Sequence, residues 1–127
     1  MAQGLKSCRG GTTQSDTLLW SNPNPNSSFA PTTINLSNLF EYEKYKIVMK
    51  NLATTPYSHS FTFDNLNKYD STLTASSVGL SFVNKAGYTA YRICEVFDNR
   101  IRINKGQYNI TPEDNTVCIP IEIYGIK

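Results

Sequence analysis

One histidine, three cysteines and three loose pairs of carboxylates are the side chains of this 127-residue chain that could carry chemistry. His59 lies in Tyr57-Ser-His-Ser-Phe61, and a hydroxyl beside an imidazole could support nucleophilic attack. The segment reads as the start of a strand, though, and neighbours on a strand point to opposite faces, so neither Ser58 nor Ser60 would meet the ring. Carboxylates pair along the chain as Glu41 with Glu43, Asp64 with Asp70 and Glu113 with Asp114. Glycosidic cleavage needs two carboxyl groups facing each other across a cleft. Each of these pairs instead lies in or beside a turn, where acidic residues serve solubility and backbone capping. Calcium at Glu113-Asp114-Asn115 would need the spaced oxygen ligands of a dedicated loop. Zinc fails on ligand count, with a single histidine and no C-x-x-C spacing. No glycine-rich phosphate cradle is present. No catalytic residue, cofactor or metal is therefore expected, and an enzyme is the least favoured class.

Aromatic side chains are the other candidates, with eight tyrosines and six phenylalanines. Trp20, Tyr57, Tyr69, Tyr88 and Tyr108 fall at strand ends or in loops, where a flat ring could stack on a sugar. Trp20 follows Leu18 and Leu19 and is expected to plug the core. Tyr69 and Tyr108 stand among polar loop residues, and with Tyr57 they are the candidate carbohydrate-binding residues.

The elements that must position these residues are strands. Val117 to Lys127 alternates, with Val117, Ile119, Ile121 and Ile123 expected on one face and Cys118, Pro120, Glu122 and Tyr124 on the other. Pro120 cannot donate to a ladder, so it should mark a sheet edge or a bulge. Cys118 and Tyr124 leave the outer row incompletely polar, which suggests a covered face. Tyr45, Ile47 and Met49 alternate against Lys46, Val48 and Lys50; Phe61 and Phe63 share a side; Val78, Leu80 and Phe82 repeat the pattern. Thr17 to Trp20, Ser28 to Leu36, Thr89 to Phe97 and Arg100 to Asn104 complete the strands. Ser21 to Ser27, Lys85 to Tyr88 and Asp98-Asn99 carry turn chemistry, and 105 to 116 reads as a loop. Ser37 to Lys44 allows a helical turn or two, with Ser37 or Asn38 as its N-cap. Seven or eight short strands predict an all-β fold, an antiparallel β-sandwich of jelly-roll type, with a closed barrel as the alternative. Residues 1 to 16 are small, polar and unpatterned, a short flexible N-terminal arm ahead of a single domain over 17–127.

Composition excludes several classes. Twelve basic and ten acidic residues give a net charge of +2 without a basic stripe, which argues against nucleic-acid binding. No apolar run is long enough for membrane insertion, and the N-terminus lacks the apolar core of a signal peptide. Cys94 and Cys118 are expected as reduced strand cysteines rather than as a bridge.

Leu19-Trp20-Ser-Asn-Pro-Asn-Pro-Asn-Ser-Ser-Phe29, Thr33-Ile-Asn-Leu36, Tyr42 to Val48, Tyr91-Arg-Ile-Cys94 and the closing Ile119-Pro-Ile-Glu-Ile-Tyr-Gly-Ile-Lys127 together resemble a family. It is the family of small β-sandwich domains in structural proteins of tailed bacteriophages, and the resemblance spans roughly residues 17–127. It implies a non-enzymatic virion protein: a tail-fibre, baseplate or head-fibre appendage, or a capsid decoration module, assembled in the host cytoplasm. Only a short arm is expected ahead of the domain, which makes a stand-alone decoration protein held by that arm a serious option beside the tail-fibre tip. The implied partners are other virion proteins and further copies of the chain, with a trimer expected by analogy. Cys118, Tyr124 and Leu5 are the expected assembly contacts. Loops 21–27, 64–76 and 105–116 would face the host or solvent. The alternative function is a carbohydrate-binding module recognising a host cell-surface glycan.

Overall fold

The computed structural model describes residues 16–83 and 86–127. Eight strands run through these residues: β1 (Asp16–Ser21), β2 (Thr32–Asn35), β3 (Lys44–Leu52), β4 (Ser58–Asp64), β5 (Ser76–Val83), β6 (Thr89–Val96), β7 (Arg100–Tyr108) and β8 (Val117–Ile126). They form two four-stranded antiparallel sheets, ordered β1-β8-β3-β4 and β2-β7-β6-β5. The expected all-β sandwich is what the chain adopts. First pairs with last and second with seventh, the outer wrap of a jelly roll; the inner strands close as hairpins β3–β4, β5–β6 and β6–β7. The assigned arm ends one residue earlier than expected, since Asp16 already pairs with Ile126.

Period-two patterning explains most of the core. Tyr45, Ile47 and Met49 of β3 face inward and are buried, while Lys44 and Lys46 face out. Leu80, Ala90, Cys94, Val96, Ile101 and Ile103 supply the opposing layer. Each large aliphatic side chain so buried contributes about 1.5–3 kcal/mol. On the side where β4 and β5 are edges, Phe82 closes the gap, with ring centroids 5.6 Å from Phe61 and 5.2 Å from His59. Trp20 packs against the core and meets Phe29 edge-on at 5.7 Å. The expected helical turn is a 3-10 turn, Leu39–Glu41, entered through Asn38 in the left-handed conformation without a side-chain cap. Asn65, fully buried, ties this turn to the next: its amide donates to the carbonyls of Phe40 (3.1 Å) and Tyr42 (2.8 Å).

β8 departs from the expected alternation. Ile121 is an extra residue between the Val48–Glu122 and Met49–Pro120 pairs, so Pro120 does sit beside a bulge. Cys118 adopts φ 52, the left-handed region. The two irregularities reset the faces: Cys118 and Pro120 are buried and Ile121 is only half-buried. The outer row assigned from alternation therefore fails for Cys118 and Pro120. At Cys118 the turn is held by Arg92 of β6, whose side chain is fully buried. Its Nε donates to the Cys118 carbonyl (2.9 Å), Nη2 to the Val117 carbonyl (3.0 Å) and Nη1 to the Asn104 carbonyl (2.7 Å). Successive carbonyls of a regular strand point opposite ways, so one guanidinium fork can take two consecutive ones only if the backbone turns between them. Cys118 makes that turn. A second bulge in β7, where two residues separate Ile103 from Gly106 opposite one in β6, brings the Asn104 carbonyl round and carries the strand on to Tyr108. The expected loop from 105 is thereby shortened to 109–116.

Candidate functional site

Register assigns every connection to one of two ends. Asp16, Lys44 and Asp64 align with Ile126 in one sheet, and Ser76, Val96 and Arg100 lie at the matching end of the other. Connections 36–43, 65–75 and 97–99 gather at this end, where the described chain both starts and finishes. Connections 22–31, 53–57 and 109–116 gather at the far end, together with residues 86–88 before β6. The expected display loops are thus divided. Loops 21–27 and 109–116 lie far from Asp16, whereas 64–76 lies beside it. Tyr69, 73% exposed, belongs to the Asp16 end, and Tyr57, 75% exposed, and Tyr108 to the far end. The three candidate tyrosines cannot make one site.

Tyr108 does line a pocket at the far end, together with Asn51, Phe82, Tyr88, Asp114 and Thr116. Its volume is about 150 Å³. Tyr88 and Tyr108 meet at 90° with centroids 6.0 Å apart, so their rings form a corner. Pairing of Ala90 with Tyr108 and of Thr89 with Val83 is what brings the β5–β6 hairpin and the end of β7 together there. The 109–116 loop supplies the polar wall. Asp114 donates its backbone N–H to the Gly106 carbonyl (2.7 Å), and its Oδ1 accepts from the Thr116 N–H (3.0 Å) and hydroxyl. Asn115 Oδ1 accepts from the Gly106 N–H (3.0 Å). A Cβ on Gly106 would collide with the Asp114 carbonyl oxygen and lie 2.9 Å from Arg92 Nη2, so this close approach requires glycine. Arg92 holds Val117 directly below. Burial pushes the Arg92 guanidinium down to about 10, with Asp114 and Glu113 acting the other way, and it is charged at neutral pH.

The remaining candidates answer to local partners. His59 is exposed on β4 opposite Met49, while Ser58 and Ser60 pair with Lys50 and Val48. Glu41 reaches Lys127 (3.0 Å), Glu43 reaches Lys68 (4.0 Å) and Asp64 reaches Lys44 (3.4 Å). Asp70 accepts from the Thr72 hydroxyl and N–H, which hold its carboxyl below the usual range. Glu113 accepts from the Asn115 amide (2.7 Å). Among the described residues no three His, Cys, Asp or Glu side chains are grouped to hold a metal ion.

Of the expected assembly contacts, Leu5 lies outside the described residues. Cys118 is fully buried, so its side chain presents no outer surface. Tyr124 faces out, with Lys46 Nζ 4.7 Å over its ring and its hydroxyl donating to Glu122 (2.9 Å). Lys46 in turn reaches Asp16 at 2.8 Å, and that hydrogen bond raises its pKa. Cys94 and Cys118 are unbridged, and burial pushes both thiols up to about 12.

Phe82, Tyr88, Asn51, Asp114 and Thr116 were missed as site residues. Tyr88 carried a signal as an aromatic at a strand end, and Asp114 as a turn carboxylate weighed for other chemistry; a register for β6 against β7 would have placed Tyr88 beside Tyr108. No helix among the described residues is long and apolar enough to cross a membrane. Comparison with protein-family models, with curated proteins and with solved structures returned no match to this chain.

Proposed function

We propose that the chain is a non-enzymatic structural protein of a bacteriophage virion, an appendage or capsid-decoration module that docks through its N-terminal arm and displays the sandwich outward for adhesion. The observation that supports it is the polarity of the sandwich. Asp16 enters beside Ile126, while loops 22–31, 53–57 and 109–116 stand together at the opposite end. An arm anchored in a particle surface would therefore leave those loops pointing away from it. The resemblance of the opening and closing motifs supports the virion setting and a homotrimeric assembly, to which outward-facing Tyr124 and arm residue Leu5 would contribute.

Deleting residues 1–15 should abolish incorporation into particles while the purified variant keeps a β-type circular dichroism spectrum and cooperative unfolding. Leu5→Asp in the full chain should weaken incorporation in the same direction. Normal incorporation of the deletion variant would end the docking reading.

A further inference from the structure

We propose that the Tyr88–Tyr108 pocket binds the terminal pyranose ring of a neutral glycan. The inference deepens the adhesion half of the reading above by naming a ligand for the displayed end. Size comes first: about 150 Å³ is below the roughly 300–1,000 Å³ of clefts for drug-sized molecules, so one ring fits and a longer chain must continue outside. Shape agrees. The perpendicular rings of Tyr88 and Tyr108 offer an apolar corner, backed by Phe82, against which the C–H face of a sugar ring can lie.

The polar wall matches a hydroxyl rim. Asp114 supplies a carboxylate acceptor, and its orientation is already fixed by Thr116. Asn51 supplies both an acceptor and a donor, and its side-chain amide makes no hydrogen bond among the described residues. One amide and one carboxylate suit a pair of neighbouring hydroxyls. Charge then narrows the class. Asp114 is the single charged side chain among the described lining residues, and its carboxylate would repel the anionic group of a uronic acid or a phosphate. The wall is also built in advance: Gly106 receives the Asp114 loop, and Arg92 fixes Val117 beneath it. Little ordering is left to be done on binding.

Heteronuclear NMR titration of the full chain with methyl glucoside, methyl galactoside and methyl N-acetylglucosaminide, against glucuronate and glycerol 3-phosphate, tests this. At least one neutral glycoside should bind in the millimolar range and shift the amides of Asn51, Tyr88 and residues 114–117. Tyr88→Ala and Asp114→Asn should each weaken binding about tenfold, equivalent to roughly 1.4 kcal/mol. Tyr69→Ala, at the other end, should leave it unchanged. Tyr88 is 45% exposed and Asn can still accept from Thr116, so both variants should fold, as their spectra would verify. Silence from all three neutral glycosides, preference for the anionic probes, or binding retained in both variants overturns the proposal. None of these results bears on incorporation through the arm, which the deletion reads separately.

Discussion

Arg92 is a buried cation whose hydrogen bonds all go to backbone carbonyls, with Asp114 and Glu113 adding only longer-range attraction, and its three acceptors come from both sheets. Removing it strands the Val117, Cys118 and Asn104 carbonyls, each unsatisfied group costing about 1–3 kcal/mol. Arg92→Leu should therefore lower stability by about 3–5 kcal/mol in urea unfolding. Arg92→Lys keeps the charge without the planar fork and should fall between. Wild-type stability of the leucine variant would refute the clamp. The two thiols make a second residue-level test. Burial raises both to about 12, so in the native state neither Cys94 nor Cys118 should react with a thiol reagent at pH 8, and both should on denaturation. The linkage has a definite sign. A folded pKa raised above the unfolded one contributes stability that is complete below the ordinary thiol value of 9.0 and is lost as pH rises toward 12. The buried Tyr45 hydroxyl, which donates to the Leu39 carbonyl at 2.8 Å and is raised chiefly by burial, acts in the same sense above 10. Urea midpoints should therefore hold steady from pH 7 to about 9 and decline beyond it.

At the level of elements, β7 and β8 are shaped by each other's irregularities. The bulge after Ile103, the glycine at 106 and the turn at Cys118 are three parts of one accommodation around the guanidinium. Gly106→Ala should cost about 1–3 kcal/mol through overpacking against Asp114 and Arg92, read as a lowered urea midpoint. It should also disturb amide shifts in the 114–117 wall. Gly79, whose Cβ would meet nothing within 4 Å, is the control expected to tolerate alanine. These elements also show where sequence reading reaches its limit. β3, β5 and the start of β7 were legible because their inward rows repeat every second residue without a break; β6 was read from the turn chemistry around it, since Arg92 interrupts its apolar row. β8 was not, because its left-handed turn is held by a side chain 26 residues away, and nothing local to Val117-Cys118 announces a left-handed residue. Pro120 was the one local signal, and it pointed correctly to a bulge. The site was half legible for a related reason. Tyr108 stands out as an aromatic beside a polar loop, but its companions arrive through strand register and sheet crossing, which spacing along the chain does not encode. Tyr69 looked equivalent to Tyr108 in composition, and topology sent it to the opposite end.

Over the whole molecule, the first and last strands lie side by side, and this pairing joins residues more than a hundred positions apart. Such long-range closure places folding at the slow end for small domains, in the millisecond-to-second range. Stopped-flow refolding should show it. The same adjacency bears on how the protein could be put to use. Because Ile126 lies opposite Asp16, a cargo fused after Lys127 would emerge at the end where Asp16 enters, which is the particle-facing side under the docking proposed above. A peptide grafted into the exposed turn between β3 and β4, around Thr54, would instead stand at the opposite end, so epitope presentation calls for insertion there rather than for a terminal tag.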